Sequence, residues 1–360
     1  MKIALFHELP MGGARVAANN FAKFLRKDYI VDLYTVSNKE NKEEHKYYSQ
    51  VFYYRFLSHG LSNNGWLDRI RNDTTDLVRL YLLHKKIAEQ INRQKYDIVF
   101  VHASMFTQAP FILHFLKPRK IYYCQETLRT VYEEGFAISK NIGFLKYHYE
   151  KNNRRIRKII DSMNIGKADL ILTNSKFTQS LISKNYKLKS KVVYLGVDSS
   201  FFKPLKFKKD IDIFFIGGKN KINGYDMLEG ALNILKKRKI RLEVLSEKWI
   251  SDEELLRTYN RSKIVANLEY NQPFGLIALE SMACCVPVIV LNQAAYKETV
   301  VNGLNGYLIN NPKELAKRVS MILDNRLLAE RIGKEGRKIV MTKWDWKIRI
   351  KTLNNIFNEA

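Results

Sequence analysis

A single acidic side chain interrupts a long apolar run in the second half of the chain. Glu280 follows a loop that contains Gly275, and it lies in a helical pattern that Pro287 ends before a buried strand. A carboxylate in such a run must be paired or liganded, because burying a bare charge is costly. Such a carboxylate can accept hydrogen bonds from both hydroxyls of a ribose.

A second candidate site lies where the first apolar strand meets the first helical pattern. The segment from Pro10 to Arg15 contains Gly12 and Gly13 and opens an apolar-periodic helix over residues 16–25. Two glycines let backbone N–H groups approach an anion, and the start of a helix adds a positive dipole. The pattern therefore predicts a phosphate cradle. The alternative is a tight strand-to-helix turn that needs glycine for its own geometry.

Short apolar runs alternate with helical patterns along nearly the whole chain, which predicts an α/β protein with parallel sheets covered on both faces. The predicted strands of the first half are residues 3–6, 31–36, 98–102, 121–124, 170–173 and 192–195. Those of the second half are residues 211–216, 242–245, 264–266, 288–291 and 307–309. Residues 37–95 interrupt the first half with a polar stretch and one predicted helix over 66–92.

The length and composition fit two such domains. The chain has 360 residues, of which 46% are hydrophobic, so each half can bury its own core. A Pro-containing basic stretch at 201–209 predicts the boundary, with one Rossmann-like domain over 1–203, a second over 204–343 and a terminal helix over 344–360. Doubly wound domains that face each other share a central cleft at the carboxyl ends of both sheets, where ligands bind.

Hydropathy and charge predict where the protein is located and which partners it attracts. No window reaches 18 apolar residues and the apolar opening turns polar at His7, so we expect a cytoplasmic protein without a signal peptide. The sequence has 61 Lys and Arg against 36 Asp and Glu, a net charge of +25. This excess attracts the phosphates of nucleic acid or anionic lipid, or charged glycans. A general compositional bias toward Lys, Asn and Ile is the alternative.

The three cysteines lack metal-site spacing, and no metal is predicted.

The segment around Glu280 resembles the donor-site signature of the family-4 retaining glycosyltransferases, PFGL…LEAMACGxPVI, in which seven residues separate two glutamates. Other segments resemble family motifs and come in the family's order. They are the opening MKIALFHELPMGGAR, residues 122–129 (YCHEPxR), 173–178 (TNSxFT), 196–198 (GVD), 251–255 (SDEEL) and 302–306 (NGxxG). The resemblance implies the GT-B fold, with two Rossmann-like domains facing a central cleft and a terminal helix that crosses back to the first domain.

The resemblance also implies an activity and a set of site residues. It implies retaining transfer of a sugar from a nucleotide-sugar donor to a glycan or lipid-linked acceptor, without a cofactor or a required metal. The implied catalytic positions are Gln272 and Gln125. The implied donor-binding residues are Gly12, Gly13, Gly217, Lys219, Lys221, Phe274, Gly275, Leu276 and Glu280. Arg15 and Arg129 are the candidates for the acceptor or phosphate side.

Two of these positions lack the functional group that the family uses. The first glutamate of the signature is Gln272, and the histidine of the YCHEPxR segment is Gln125. An amide can hydrogen-bond a sugar hydroxyl, but it carries no charge to stabilise an oxocarbenium-like transition state. Arg129 is a candidate replacement contact for a phosphate or an acceptor, and a surface salt bridge is its alternative.

The cations of the family's GRLxxxKG loop are also absent, since Gly218 and Asn223 take their positions. Such cations stabilise the leaving diphosphate, and losing one contact costs on the order of a hundredfold or more in rate. Lys219 and Lys221 lie close by, although their spacing points them differently.

These departures leave more than one functional hypothesis open. The first is an active glycosyltransferase. The second is a catalytically impaired family member that acts as a binding or partner subunit. Nucleic-acid binding through the basic residues ranks last, because no nucleic-acid motif is recognised. The segment Lys146–Lys167 predicts a basic amphipathic helix on an anionic membrane surface, and a solvated helix that packs its isoleucines on the core is the alternative.

Overall fold

The protein is described here by a computed structural model that covers residues 1–59, 65–139, 141–246 and 250–359. The chain divides into two compact units. Unit 1 comprises Met1–Asn174, Thr178–Val193 and Thr352–Ala360, and unit 2 comprises Ser175–Phe177 and Tyr194–Lys351. The main segment of unit 2 begins at Tyr194, ten residues before the predicted start of the second domain at residue 204.

Unit 1 is built on a parallel sheet of seven strands in the order β3-β2-β1-β4-β5-β6-β7. Its strands are β1 (Lys2–Glu8), β2 (Ile30–Ser37), β3 (Val51–Arg55), β4 (Ile98–Ser104), β5 (Arg119–Cys124), β6 (Leu170–Thr173) and β7 (Lys191–Val192). Its helices are α1 (Gly13–Leu25), α2 (Trp66–Asp73), α3 (Thr75–Arg93), α4 (Arg129–Tyr132), α5 (Phe144–Ile165) and α6 (Lys176–Tyr186), the first residues of α6 lying in unit 2. All seven residues of β4 are buried, as expected for a central strand covered on both faces.

Two details of unit 1 differ from the predicted elements. Strand β3 at the sheet edge was not predicted, and residues 66–92 form two helices instead of one. The break falls at Thr74, whose φ of −127° and ψ of −79° are not helical. The chain passes outward from β1 to β2 and β3 and then returns to β4 on the other side of β1, so the strand order reverses between β1 and β4.

Unit 2 is built on a parallel sheet of five strands in the order β12-β11-β10-β8-β9. Its strands are β8 (Ile211–Ile216), β9 (Leu242–Leu245), β10 (Ser262–Asn267), β11 (Val288–Leu291) and β12 (Tyr307–Ile309). Its helices are α7 (Tyr225–Ile234), α8 (Asp252–Arg261), α9 (Leu276–Ala283), α10 (Tyr296–Thr299), α11 (Pro312–Asp324), α12 (Arg326–Ile339) and the first part of α13 (Trp346–Asn358). Residues of α13 from Thr352 onward belong to unit 1, where the Phe357 ring packs on Phe100 at 5.4 Å.

The strand order of unit 2 reverses between β8 and β10, because the chain goes from β8 to the edge strand β9 and returns to β10. Open α/β sheets bind ligands outside the carboxyl ends of their strands at such a switch point. Three segments follow the central strands there: the β8 loop (217–224), the β10 loop (268–275) and the β11 loop (292–295). No helix among the described residues is long and apolar enough to cross a membrane.

Candidate functional site

The β8 loop and the β10 loop pack directly against each other at the switch point of unit 2. The amide of Tyr270 donates a hydrogen bond to the carbonyl of Ile222 at 2.9 Å. Gly224 has a φ of +72°, and a Cβ on it would lie 2.1 Å from the carbonyl oxygen of Leu268. Glycine is therefore required where the two loops meet.

The β11 loop fixes the β10 loop from the other side. The amide of Ala295 donates to the carbonyl of Gln272 at 3.2 Å. The hydroxyl of Tyr296 donates to Oδ1 of Asn267 at 2.7 Å. Gly275, with a φ of +87°, lies so close to the Tyr296 ring that a Cβ would come within 2.9 Å of it. The β10 loop is thus held by both neighbouring loops.

Glu280 lies on α9, the helix that follows the β10 loop, and its side chain is buried. Its Oε2 accepts a hydrogen bond from the hydroxyl of Tyr259 at 2.8 Å. Burial raises the pKa of Glu280 to about 7, and the bond from Tyr259 partly offsets that rise. No lysine or arginine of the described residues forms an ion pair with it. The acid therefore has a neutral internal partner and keeps the capacity to accept further hydrogen bonds.

The β8 loop carries an amide pair at the position where the sequence lacks a cation. Both the backbone amide and the Nδ2 of Asn223 donate to Oδ1 of Asn220 at 3.0 Å. A Cβ on Gly218 would lie 2.8 Å from the Nδ2 atoms of both asparagines. A larger residue at position 218 would therefore displace this pair.

Two lysines of the same loop remain available to an anion. Lys219 and Lys221 are both exposed, and Gly217 before them has a φ of +155°. No ion pair involves either lysine within the ranges that the structure describes. Two cations thus stand on the loop that follows β8.

Gln272 has an acidic neighbour that the sequence analysis missed. Its Nε2 donates a hydrogen bond to Oε2 of Glu269 at 3.0 Å, and both side chains are half-buried. The two residues stand in one turn of the β10 loop. A carboxylate therefore lies beside the amide at position 272.

Phe274 packs in the interior of unit 2. It is 3% exposed, and its ring lies 5.8 Å from the Trp344 ring and 6.3 Å from the Tyr194 ring. The Phe274 side chain therefore belongs to the core of unit 2. Leu276, the first residue of α9, is half-buried.

In unit 1 the predicted glycine loop joins β1 to α1. Gly12 has a φ of +157°, and a Cβ on Gly12 or on Gly13 would meet nothing within 4 Å. The backbone of this loop is therefore open. Gln125 lies next to it and donates through Nε2 to the carbonyl of Ala14 at 3.1 Å. The structure thus brings together Gln125 and the start of α1, both predicted from separate motifs.

Arg15 is buried within unit 1, which corrects its assignment to the acceptor or phosphate side. Its Nε and Nη2 donate to the two carboxylate oxygens of Glu44 at 2.6 and 2.5 Å, and its Nη1 donates to the carbonyl of Leu9 at 3.3 Å. Although burial opposes it, the guanidinium holds the pKa of Glu44 below its ordinary value. Arg15 therefore fastens the glycine loop to residues 42–47, a 3₁₀ turn.

Arg129 forms the salt bridge that was its alternative interpretation. Its Nε lies 3.0 Å from Oε1 of Glu133, one turn further along the chain, and its guanidinium lies 5.3 Å from the centroid of the Phe136 ring. This guanidinium is engaged with side chains of its own segment, and we do not keep Arg129 as a ligand contact.

An open cavity of about 320 Å³ lies at the far end of α9 from the β10 loop. It is lined by Cys285, Lys334, Arg337, Lys338, Met341 and Thr342. None of the predicted site residues lines this cavity, so we do not include it in the site.

Comparison with known proteins identifies the family. The family model described as Glycosyltransferase Family 4 matches residues 11–201, and the one described as Glycosyl transferases group 1 matches residues 202–339. An uncharacterized glycosyltransferase of Methanocaldococcus jannaschii is 25% identical over 217 residues, which are 53% of this chain and 60% of that protein. Two further curated relatives are matched over 41% and 42% of their lengths. The chain thus spans less than two thirds of the length of these relatives.

Solved structures show the same fold over the full chain. Sucrose-phosphate synthase from Thermosynechococcus elongatus has a TM-score of 0.74 at 15% identity, covering 100% of this chain and 98% of that chain. HepE from Anabaena, in complex with UDP and glucose, has a TM-score of 0.70 at 16% identity, covering 100% of both chains. At such identities the likeness shows the fold alone, the two-domain α/β fold called GT-B. With both family models matched, the chain has the GT-B fold and belongs to the family described as Glycosyltransferase Family 4.

Proposed function

We propose that the protein transfers a sugar from a nucleoside-diphosphate sugar to a glycan or lipid-linked acceptor, with retention of the anomeric configuration. The observation that carries the proposal is Glu280, a buried acid on the helix after the switch-point loop whose internal partner is a neutral hydroxyl. Such a carboxylate suits the two hydroxyls of a ribose. The fold of HepE, whose structure holds UDP and glucose, supports the same class of donor.

The β8 loop supplies the charge for the diphosphate in this proposal. Lys219 and Lys221 are exposed on the loop that follows the central strand β8. Ammonium groups at this position can offset the negative charge that develops on the leaving diphosphate. We therefore propose that these lysines stabilise the diphosphate and that the enzyme needs no metal cofactor. Measuring activity after treatment with a chelator tests this proposal.

The direct test is turnover with a panel of nucleotide sugars. We expect the parent protein to release a nucleoside diphosphate from at least one donor, and Glu280→Ala to lose donor binding, measured by calorimetry. Glu229→Ala is the matched control, because Glu229 is an exposed acid on α7. NMR of the product gives the anomeric configuration. No binding or turnover with any donor, or full activity of Glu280→Ala, would contradict the proposal.

A second candidate is a binding subunit that has lost turnover. The amides of Asn220 and Asn223 fill the space beside Gly218 where the family's cations would stand, and this favours weak leaving-group stabilisation. This candidate predicts nucleotide binding that depends on Glu280 without release of diphosphate from any donor. Measurable turnover by the parent protein would exclude it.

We further propose that the protein is cytoplasmic and that α5 holds it on an anionic membrane surface. Five apolar side chains of this helix are more than half exposed: Phe144, Leu145, Ile156, Ile159 and Met163. Four exposed basic side chains accompany them: Lys146, Lys151, Arg155 and Lys158. The acids of the helix do not share this surface, because Glu150 pairs with Arg69 and Asp161 is buried. Apolar and basic side chains together suit lipid headgroups better than nucleic acid.

Residues on the opposite face of α5 form hydrogen bonds to Asp73 on α2, and these bonds fix the position of the helix. Asp73 accepts hydrogen bonds from Tyr149 at 3.0 Å, Asn153 at 2.8 Å and Arg157 at 2.5 Å. These contacts hold the helix without using its exposed apolar side chains.

Sedimentation with lipid vesicles tests the membrane proposal. We expect binding to vesicles that contain phosphatidylglycerol, little binding to phosphatidylcholine alone, and about tenfold weaker binding of the double variant Ile156→Asn/Ile159→Asn. Leu327→Asn is the matched control, because Leu327 is 79% exposed on α12. Equal binding of the double variant and the parent, or stronger binding to duplex DNA than to vesicles, would contradict it.

A further inference from the structure

The acid at position 269 stands where the strand order of unit 2 reverses. Glu269 is the second residue after β10, the strand that lies between β8 and β11. Its neighbours Leu268 and Tyr270 form the contacts that join the β10 loop to the β8 loop. Open α/β sheets bind their ligands in the crevice outside the carboxyl ends of the central strands. The position of Glu269 therefore differs from that of an ordinary surface acid.

The turn of the β10 loop brings Glu269 and Gln272 together. Asn271, between them, has a φ of +53°, which lies in the left-handed region. The carbonyl of Gln272 accepts the amide of Ala295, which fixes the backbone at that residue. The side-chain amide nitrogen then donates to Oε2 of Glu269 at 3.0 Å. The negative charge missing from residue 272 is thus present within hydrogen-bond distance of its side chain.

We propose that Glu269 is the carboxylate that accepts hydrogen bonds from the hydroxyls of the transferred sugar, and that Gln272 is the positioning residue that orients it. This inference rests on the proposed glycosyl transfer, and it assigns to Glu269 the negative charge that Gln272 does not carry. A carboxylate accepts stronger hydrogen bonds than an amide does, and it stabilises positive charge that develops on the sugar. The β10 loop therefore keeps one negative charge, contributed from a position three residues earlier in the chain.

The rival interpretation is that the pair only braces the turn. The two roles respond differently to removal of the charge without removal of the bond. In Glu269→Gln the side-chain carbonyl can still accept from Gln272, so a bracing role predicts unchanged activity. A sugar-binding role predicts a lower kcat/KM with unchanged affinity for the nucleoside diphosphate alone, because that part of the donor is bound elsewhere.

The experiment compares four proteins with the donor that the parent turns over: the parent, Glu269→Gln, Gln272→Glu and the exchange variant Glu269→Gln/Gln272→Glu. We expect Glu269→Gln to lower kcat/KM by about a hundredfold, while its melting temperature and its affinity for the nucleoside diphosphate stay at the parental values. The exchange variant returns the charge to the pair, and we expect it to recover to within about tenfold of the parent.

Gln272→Glu alone provides a readout that needs no turnover. It places two carboxylates about 3 Å apart, and such a pair resists full ionisation. We expect the melting temperature of this variant to fall relative to the parent as pH rises from about 4 to 7, and the exchange variant to lack that fall.

Several results overturn the inference. Activity of Glu269→Gln within twofold of the parent does so while leaving the proposed function intact, and so does an exchange variant no better than Glu269→Gln. A pH dependence of Gln272→Glu that matches the parent shows that the two side chains are not in contact. Failure of the parent to turn over any donor overturns the proposed function and this inference together.

Discussion

The hydroxyl of Tyr259 on α8 donates a hydrogen bond to the carboxylate of Glu280 on α9, and both side chains are buried. This bond stabilises the ionised form of an acid that burial pushes toward its neutral form. The neutral partner distinguishes Glu280 from the acids of unit 2 that pair with arginine, such as Asp212 with Arg241. The Glu280 carboxylate can therefore still accept hydrogen bonds from two neighbouring hydroxyls of a ligand.

Removal of the Tyr259 hydroxyl should weaken nucleotide binding. In Tyr259→Phe the carboxylate loses its donor, so its pKa rises further and less of it is ionised at pH 7. We expect about tenfold weaker binding of the nucleoside diphosphate by calorimetry and about 1 kcal/mol lower stability. Parental affinity at pH 7 would show that the hydroxyl does not orient the acid.

Stability should depend on pH through Glu280. Burial raises its pKa from an ordinary value of 4.5 to about 7, so the folded protein binds a proton that the unfolded chain releases between these values. The stabilisation is complete below about pH 4.5 and is lost as pH rises through about 7. We expect the difference in unfolding free energy between the parent and Glu280→Gln to change by about 3 kcal/mol over this window.

Urea denaturation of both proteins at several pH values measures this difference, because the other titrating groups cancel in the comparison. Parallel curves for the two proteins would contradict the raised pKa. The same shift predicts that nucleotide affinity rises as pH passes 7, since the ionised acid accepts both hydrogen bonds. The variant should lack that rise.

Residue pattern and motif order predicted most of the fold, because strands that are buried on both faces of a parallel sheet form near-continuous apolar runs. Strand β3 was missed because its residues Val51–Arg55 follow a long polar insertion and lie at the sheet edge, half-exposed. The break at Thr74 was missed because the apolar spacing continues through it. Both errors concern segments whose structure depends on tertiary contacts.

The site was predicted in part, for a related reason. Glu280 and the glycines could be named as candidates because an acid in an apolar run and a glycine at a strand-to-helix turn are local signals, and their roles stay predictions. Arg15 was misassigned because its partner Glu44 lies 29 residues away, in a segment without regular periodicity. Glu269 was not predicted, because it lies three residues before position 272 and outside the motif that the segment around Glu280 resembles.

The contact between the β8 and β10 loops predicts a large effect of one methyl group. Alanine at position 224 would need a φ of +72° and would place Cβ 2.1 Å from the carbonyl of Leu268. We expect Gly224→Ala to lower stability by about 3 kcal/mol and to weaken nucleotide binding, because the loops must separate. Thermal denaturation and calorimetry measure both effects.

Gly303→Ala is the matched control for that variant. Gly303 has a similar φ of +79°, but a Cβ there meets nothing within 4 Å. Gly303→Ala therefore measures the loss of stability from a left-handed alanine alone, about 1 kcal/mol, because no atom clashes with the added Cβ. Equal losses in the two variants would show that the approach to Leu268 is not tight.

The internal pair of Arg15 and Glu44 predicts a stability effect without a ligand effect. Removing one partner of a buried ion pair leaves an uncompensated charge, so we expect Arg15→Met to lower stability by about 3–5 kcal/mol. The double variant Arg15→Met/Glu44→Gln should recover at least half of that loss. At a temperature where all three proteins are folded, donor KM should stay within about twofold of the parent. A rise in KM without loss of stability would support the original assignment of Arg15 to the acceptor or phosphate side.

Adding a cation to the β8 loop should raise the rate if weak stabilisation of the leaving diphosphate limits it. Asn223→Lys places an ammonium at the lysine position of the motif that this loop resembles. It removes the side-chain hydrogen bond to Asn220, at a cost of about 1 kcal/mol. We expect kcat to rise by about tenfold or more, measured as release of nucleoside diphosphate.

Lys219→Ala/Lys221→Ala should lower kcat/KM and reduce its dependence on salt, because two charges are removed. Lys317→Ala is the control, an exposed lysine on α11. Gly218→Arg alone should add little, since the Asn220 and Asn223 amides occupy the space that its side chain needs. An unchanged rate in Asn223→Lys together with full activity of the double alanine variant would exclude the β8 loop as the diphosphate site.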